Sequence, residues 1–158
     1  MLICVSSSER TMHDLECPTD DDILAATADF RRAIDAAGQA PWKAKHITFP
    51  RGSCGHAAEL LAYYLQQRFG IVPDYISQTT YDSGVGGWTG GHAWLEWNGL
   101  TIDVSGDQFG WPPVIVTRDP SFHGQGHDEQ RYPALADLPW WGRECGSLWR
   151  AIAPHLDE

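Results

Sequence analysis

Three residues in the middle of the chain have the side chains that nucleophilic attack on an acyl group requires. Cys54 opens a predicted helix, directly after Pro50-Arg51-Gly52-Ser53, where free backbone N–H groups and the helix dipole favour a thiolate. His92 and Asp103 lie on two strands predicted further along. A thiolate can attack, an imidazole can move the proton, and a carboxylate can fix the tautomer of the imidazole. These residue types therefore predict a catalytic Cys54-His92-Asp103 set.

The spacing of His92 and Asp103 predicts that they meet across a hairpin. Asn98-Gly99 is a strong signal for a two-residue turn between strands over 92–97 and 100–104. In the resulting register the two residues are diagonal neighbours on one face of the sheet, with backbones roughly 7–8 Å apart. Side chains of this length can span that gap, so we expect contact between the imidazole and the carboxylate.

Two tryptophans are predicted to contact substrate beside this set. Trp94 shares the predicted face with His92, and Trp88 belongs to a glycine-rich segment over 83–91 that leads into His92. Such a segment could act as a lid or could be a plain connection. The tryptophans could equally fill space around the sheet, and the sequence slightly favours the cleft for Trp94.

Other polar residues offer alternatives to this assignment. Asp107 is a rival to Asp103 as the group that orients His92. A metal site built from Cys54, His56, His92 and Asp103 is conceivable, but the four show no recognised ligand spacing. No metal or organic cofactor is therefore implied.

The elements that must position these residues indicate an α+β fold. We expect helices packed on a small antiparallel sheet, with the nucleophile helix against the hairpin. Residues 1–18 show no clear period and could form a loose arm or an edge strand. Beyond the hairpin, the pattern predicts a helix over 20–37 with Thr19 as cap, a helix from the cap Ser53 to Gly70, strands over 71–80 and 114–117, and a C-terminal wrap that ends in a short helix near 144–153. His123 and His127 lie in this wrap and are predicted to be loop residues, because Gly124 and Gly126 interrupt any helix.

Composition indicates one globular domain over 1–158 with acidic ends. Its 158 residues include 8 Trp, 5 Tyr and 5 Phe, which a disordered chain would lack, and its formal net charge is −10. The range 39–118 carries only six acids and five bases, and it contains the predicted catalytic core. A general binder of nucleic acid or anionic membrane needs a basic stripe, which is missing here. The acidic ends would instead recruit a basic partner or substrate.

Cysteine usage and hydropathy predict a cytoplasmic protein. No window approaches the roughly 18 apolar residues of a membrane helix, and the start MLICVSSSER has no basic region before its apolar run. Cys4, Cys17, Cys54 and Cys145 are scattered without CxxC spacing, so we expect reduced thiols. Export by a route without a cleavable signal would leave no trace in this pattern.

Two strings in the middle of the chain, FPRGSCGHAAELLAYYL and GGHAWLEWNGLTIDVSGDQFG, resemble the transglutaminase-like and papain-like cysteine enzymes of bacteria. Those enzymes place a Cys at a helix start, a His opening one strand and an Asp on the next, which matches Cys54, His92 and Asp103. The resemblance covers about residues 48–117 and implies a papain/transglutaminase-like core. No Gln stands shortly before Cys54 to donate to an oxyanion, as in papain, and Gln108 is a possible substitute.

The resemblance also bounds the expected reaction. It implies a thiol-dependent hydrolase acting on an amide, as a peptidase, amidase or glutamine deamidase, on a peptide or protein substrate. The alternative is a transglutaminase or other acyltransferase that uses an amine acceptor. Papain-fold deamidase toxins look similar as well, which implies a toxin or effector with an immunity partner or a host target. A catalytically silent domain that binds ligands in the same cleft is the alternative from another class.

Overall fold

Helices lie on one face of an antiparallel sheet in the computed structural model, which describes residues 16–82, 89–136 and 139–156. Within these ranges the helices are α1 (Asp20–Ala37), α2 (Ala40–Lys43), α3 (Cys54–Phe69) and α4 (Pro139–Ile152). The strands are β1 (Asp74–Asp82), β2 (Thr89–Trp97), β3 (Leu100–Asp103), β4 (Ile115–Thr117) and β5 (His127–Pro133), in the sheet order β4-β3-β2-β1-β5. The predicted α+β class is confirmed.

Helix α1 begins and ends where the sequence pattern predicts. The Thr19 hydroxyl accepts a hydrogen bond from the Asp22 N–H, and the Asp22 carboxylate accepts one from the Thr19 N–H. This reciprocal pair satisfies two backbone donors at the start of the helix. The helix buries an apolar stripe that includes Ile23, Phe30 and Ile34.

Helix α3 places Cys54 in its first turn, as predicted, but it is not capped as predicted. The Ser53 hydroxyl donates to the Pro50 carbonyl at 2.9 Å and makes no capping hydrogen bond. The reason is local, because the tight turn over Pro50–Ser53 brings that carbonyl within reach of the hydroxyl. The first N–H groups of α3 are thus left without the Ser53 side chain as an acceptor. The helix ends at Gly70, whose φ of 69° lies in the left-handed region.

The hairpin between β2 and β3 has the predicted register. Trp97 pairs with Leu100, and Leu95 pairs with Ile102. Both turn residues, in Asn98-Gly99, have positive φ, as the turn type requires.

This register sends alternate residues of the hairpin to opposite faces of the sheet. Leu95, Ile102 and Val104 pack in the main core with the apolar faces of α1, α3 and α4. On the other face, Ile76, Trp94 and Phe109 form a small second core, and His92 and Asp103 lie beside it.

The C-terminal part of the chain is more regular than predicted. Strand β5 lies within the predicted C-terminal wrap, for which the pattern predicts no strand, and its first residue, His127, is predicted to be a loop residue. All seven residues of β5 are exposed, so the strand shows no alternation of apolar and polar residues. Helix α4 begins at Pro139 rather than near 144, since proline is accepted at the first position of a helix.

The expectation that every cysteine is a reduced thiol is wrong at Cys17, which is disulfide-bonded, whereas Cys54 and Cys145 are free. Spacing could not reveal this, because pairing depends on which thiols the fold brings together. Disulfides persist mainly in oxidising compartments, which removes one support of the cytoplasmic prediction. Within the described ranges, no helix has the length and apolar character needed to cross a bilayer.

The Thr19 cap yields a stability prediction. We expect Thr19→Ala to lower the free energy of unfolding by about 1 kcal/mol, because the Asp22 N–H loses its acceptor. Thr19→Ser keeps the hydroxyl and is the matched control. Urea unfolding followed by circular dichroism measures both variants, and equal stability of Thr19→Ala and Thr19→Ser would contradict the capping role.

Candidate active site

The Asp103 carboxylate lies at the end of β3 and is only 2% exposed. Its Oδ1 accepts hydrogen bonds from the Ser105 N–H at 2.9 Å and from the Ser105 hydroxyl at 3.3 Å. Its Oδ2 accepts one from His92 Nε2 at 2.7 Å. The predicted contact across the hairpin is therefore present.

Charge and hydrogen bonding keep Asp103 ionised. Burial alone would raise the pKa of the carboxyl, but the positive charge of His92 and hydrogen bonds from His123 and His92 hold that pKa well below its usual range. An ionised carboxylate only accepts hydrogen bonds, so His92 Nε2 carries a proton. The tautomer of a neutral His92 is thereby fixed, with Nδ1 as the nitrogen that carries no proton.

Aromatic rings hold the imidazole of His92 in place. Trp94 stacks on it with ring centroids 5.6 Å apart, and Phe109 meets it edge-on at 4.9 Å. Burial lowers the pKa of His92, but the charge and hydrogen bond of Asp103, together with the interaction with Cys54, raise it to about 9. This shift favours the protonated form of the imidazole.

Cys54 lies in the first turn of α3, and its thiol interacts with the imidazole of His92. Burial raises the pKa of this thiol, but hydrogen bonding and charge from His92, the backbone of Ala93 and the Gln108 amide outweigh burial and bring it below its ordinary value. A lowered thiol pKa beside a raised imidazole pKa favours a thiolate–imidazolium pair.

Gln108 lies in a 3-10 turn, Gly106–Phe109, that follows β3. Its Nε2 is 2.9 Å from His92 Nδ1, and the same amide lowers the pKa of Cys54. The side chain is buried, and its Oε1 has no hydrogen-bond partner among the described residues. Gln108 therefore lies beside His92 and interacts with Cys54, and its role as an oxyanion donor stays a prediction.

Arg31 of α1 fixes the turn that carries Gln108. Its guanidinium donates two hydrogen bonds to the Asp107 carboxylate at 2.9 and 2.8 Å and one to the Val104 carbonyl at 2.8 Å. It also lies over the Phe49 ring, 4.7 Å from the centroid, in the segment that precedes α3. Asp107, the rival partner of His92, is thus bound to Arg31 instead.

Close packing at Gly106 supports the same arrangement. A Cβ atom there would lie 3.0 Å from the Ile115 side chain, 3.0 Å from the Pro112 carbonyl and 3.4 Å from Asp103 Oδ2. Glycine is the residue that lets this turn approach the carboxylate so closely.

The other predicted site residues lie differently. Trp94 is 3% exposed and packs beneath His92, so its substrate contact stays a prediction. Trp88, with most of the glycine-rich segment 83–91, lies outside the described residues. His56 Nε2 lies 3.3 Å from the Glu144 carboxylate and is not part of the group around Asp103.

His123 joins this group, although the pattern predicts only a loop residue. Its Nε2 is 2.8 Å from Asp103 Oδ2, the oxygen that His92 also contacts, and the side chain is 3% exposed. No local signal marks it, because the contact joins residues far apart in sequence.

The ligand atoms of His92, Asp103 and His123 lie within 4.8 Å of one another, so the three could also hold a metal ion. The 2.7 and 2.8 Å distances are those of direct hydrogen bonds.

Comparison with known proteins adds no assignment: the chain matches no family model, no curated protein and no solved structure. The resemblance to transglutaminase-like and papain-like enzymes stays a prediction.

The electrostatics of Cys54 predict its reactivity. We expect Cys54 to react with iodoacetamide at neutral pH faster than an ordinary cysteine, and more slowly as falling pH protonates the thiolate. His92→Gln should slow the reaction. Without the charge of His92, burial raises the pKa of the Cys54 thiol and less thiolate is present. Mass spectrometry of alkylated peptides over a pH series measures the rates.

Cys145 is the internal control for this experiment. It is buried and free, and burial with nearby Glu59 and Glu144 raises the pKa of its thiol to about 12. We expect it to stay unmodified until the protein is denatured. A native Cys54 that reacts no faster than Cys145 would contradict the thiolate assignment.

The Arg31–Asp107 pair predicts a stability effect that surface pairs lack. Arg31→Met should lower the free energy of unfolding by about 1 to 3 kcal/mol, since it leaves a half-buried carboxylate and the Val104 carbonyl without their donor. Arg118→Met is the matched control, because the Arg118–Asp20 pair is exposed on both sides. Thermal unfolding of both variants tests this, and equal effects would show that Arg31 is an ordinary surface charge.

Proposed function

We propose that this protein is a thiol enzyme that acts on an amide or other acyl bond through a covalent intermediate on Cys54. The observation that carries the proposal is the imidazole of His92, which is hydrogen-bonded through Nε2 to a buried carboxylate at 2.7 Å and which lowers the pKa of the Cys54 thiol. In this proposal Cys54 is the nucleophile, His92 the base and Asp103 the orienting group, the three roles that acyl transfer requires.

The first half of the reaction forms a thioester. The Cys54 thiolate attacks the carbonyl carbon, a C–S bond forms, and the carbonyl electron pair moves onto oxygen. When that pair returns, the bond to the leaving group breaks and the leaving amine takes a proton from His92 Nδ1. Asp103 stays ionised throughout and stabilises the imidazolium.

The second half regenerates the thiol. Water or an amine attacks the thioester carbon and gives its proton to His92 Nδ1, and Cys54 leaves as the thiolate. Water yields an acid, as in a peptidase, amidase or glutamine deamidase. An amine yields a new amide, as in a transglutaminase or acyltransferase. The Cys54-His92-Asp103 set is the same for both acceptors.

Two kinds of donor adjoin Cys54 and are proposed to stabilise the oxyanion. One is the Gln108 Nε2 amide beside His92 and Cys54. The other is the backbone N–H groups in the first turn of α3, which receive no cap from Ser53. Preorganised donors of this kind stabilise the tetrahedral intermediate because they need no reorientation when the charge develops.

Turnover of a peptide library tests the proposal. We expect mass spectrometry to reveal cleavage, amide-to-acid conversion of glutamine, or conjugation with an added primary amine. Cys54→Ala and His92→Ala should abolish the product, and Asp103→Asn should lower kcat by orders of magnitude, because the imidazole loses its charged partner.

Activity should fall as pH drops and the Cys54 thiol protonates, and also as pH rises through about 9, the pKa of His92.

Cys145→Ala is the matched control, since it removes a free thiol that lies outside the site and should keep full activity. Retained turnover in Cys54→Ala would overturn the mechanism. Binding of peptides with no turnover under any condition would favour the catalytically silent domain.

A further inference from the structure

The buried Asp103 carboxylate has more hydrogen-bond donors than a Cys-His-Asp set requires. Ser105 supplies two donors to Oδ1, and His92 supplies one to Oδ2. His123 is a second histidine on Oδ2, at 2.8 Å. Since Asp103 is ionised, His123 Nε2 must carry the proton and donate it.

Two tryptophan rings and a 3-10 turn hold His123 next to this oxygen. The ring packs against Trp94 at 4.9 Å and Trp111 at 5.2 Å between centroids. Its 3-10 turn, His123–Gln125, is closed by the Gly124 N–H donating to the Pro120 carbonyl at 2.9 Å. The donor therefore reaches Asp103 from a turn that is not part of the hairpin.

We propose that His123 is a positioning residue: its Nε2–H holds the Asp103 carboxylate in the orientation that His92 requires, and it shares the negative charge with His92. This role rests on the proposed function for its effect on catalysis, but the hydrogen bond itself can be tested without turnover. His123 touches neither the thiol nor the substrate in this role, and it acts through Asp103 alone.

Loss of the donor has two physical consequences. Oδ2 would keep one donor in a site closed to water, so the carboxylate could rotate and carry His92 with it. The Asp103 carboxylate would also interact more strongly with His92, which would be the remaining hydrogen-bond donor to Oδ2. The titratable groups that then face His92 are Cys54 and Asp103.

A pair of substitutions separates donation from packing. His123→Phe keeps a ring but has no donor, whereas His123→Gln loses the ring and can place an amide N–H where Nε2 stands. We expect His123→Phe to lower kcat/KM by about 10- to 100-fold, the loss typical of one hydrogen bond to a charged group. His123→Gln should stay within about threefold of the parent. A packing role predicts the opposite order and would overturn the proposal.

Nuclear magnetic resonance gives the second readout, in a Cys54→Ala background that needs no substrate. With the imidazole nitrogens labelled, we expect the pKa of His92 to rise in His123→Phe and to return in His123→Gln. An unchanged His92 titration in His123→Phe would overturn the proposal even if the enzyme assignment holds. If the His92 titration shifts but the parent protein with Cys54 intact shows no turnover, the result supports the hydrogen bond and rejects the proposed function.

Folding and metal content complete the test. If His123→Phe fails to fold, as judged by circular dichroism, His123→Leu replaces it as the donor-free variant. Elemental analysis of the purified protein checks the alternative use of the same three side chains. About one equivalent of a transition metal, lost from both His123→Phe and His123→Gln, would identify a metal centre and overturn the positioning role.

Discussion

The buried carboxylate of Asp103 is the group on which the rest of this structure depends. A charge removed from water is tolerated only when donors surround it, and here Ser105, His92 and His123 supply them. Each donor comes with a structural requirement, because the hairpin must present one imidazole and a distant turn must present the other. The same charge raises the pKa of His92, and His92 in turn lowers that of Cys54. The lowered pKa of the thiol therefore depends on Asp103 through His92.

The hairpin register serves stability and chemistry together. A slip of one residue would turn Leu95 and Ile102 away from the main core and at the same time separate His92 from Asp103. The apolar core therefore selects the register in which the site is assembled. This coupling explains how a short turn signal, Asn98-Gly99, could predict the contact between His92 and Asp103.

The structural features that the sequence predicts are those that depend on residues close together in the chain. The helix before Gly70 follows from apolar spacing, and the contact of His92 with Asp103 follows from a period of two across a known turn. The features that the sequence does not predict leave no pattern among neighbouring residues. Strand β5 is exposed throughout and shows no alternation, while His123 and the Arg31–Asp107 pair depend on contacts between residues distant in sequence. Single-sequence patterns do not report such contacts.

The site draws its parts from well beyond the near-neutral range 39–118, since Arg31 precedes this range and His123 follows it. Cys54 precedes His92 and Gln108 in the chain, so the interactions that lower the pKa of its thiol form only after these residues have been synthesised and folded against it.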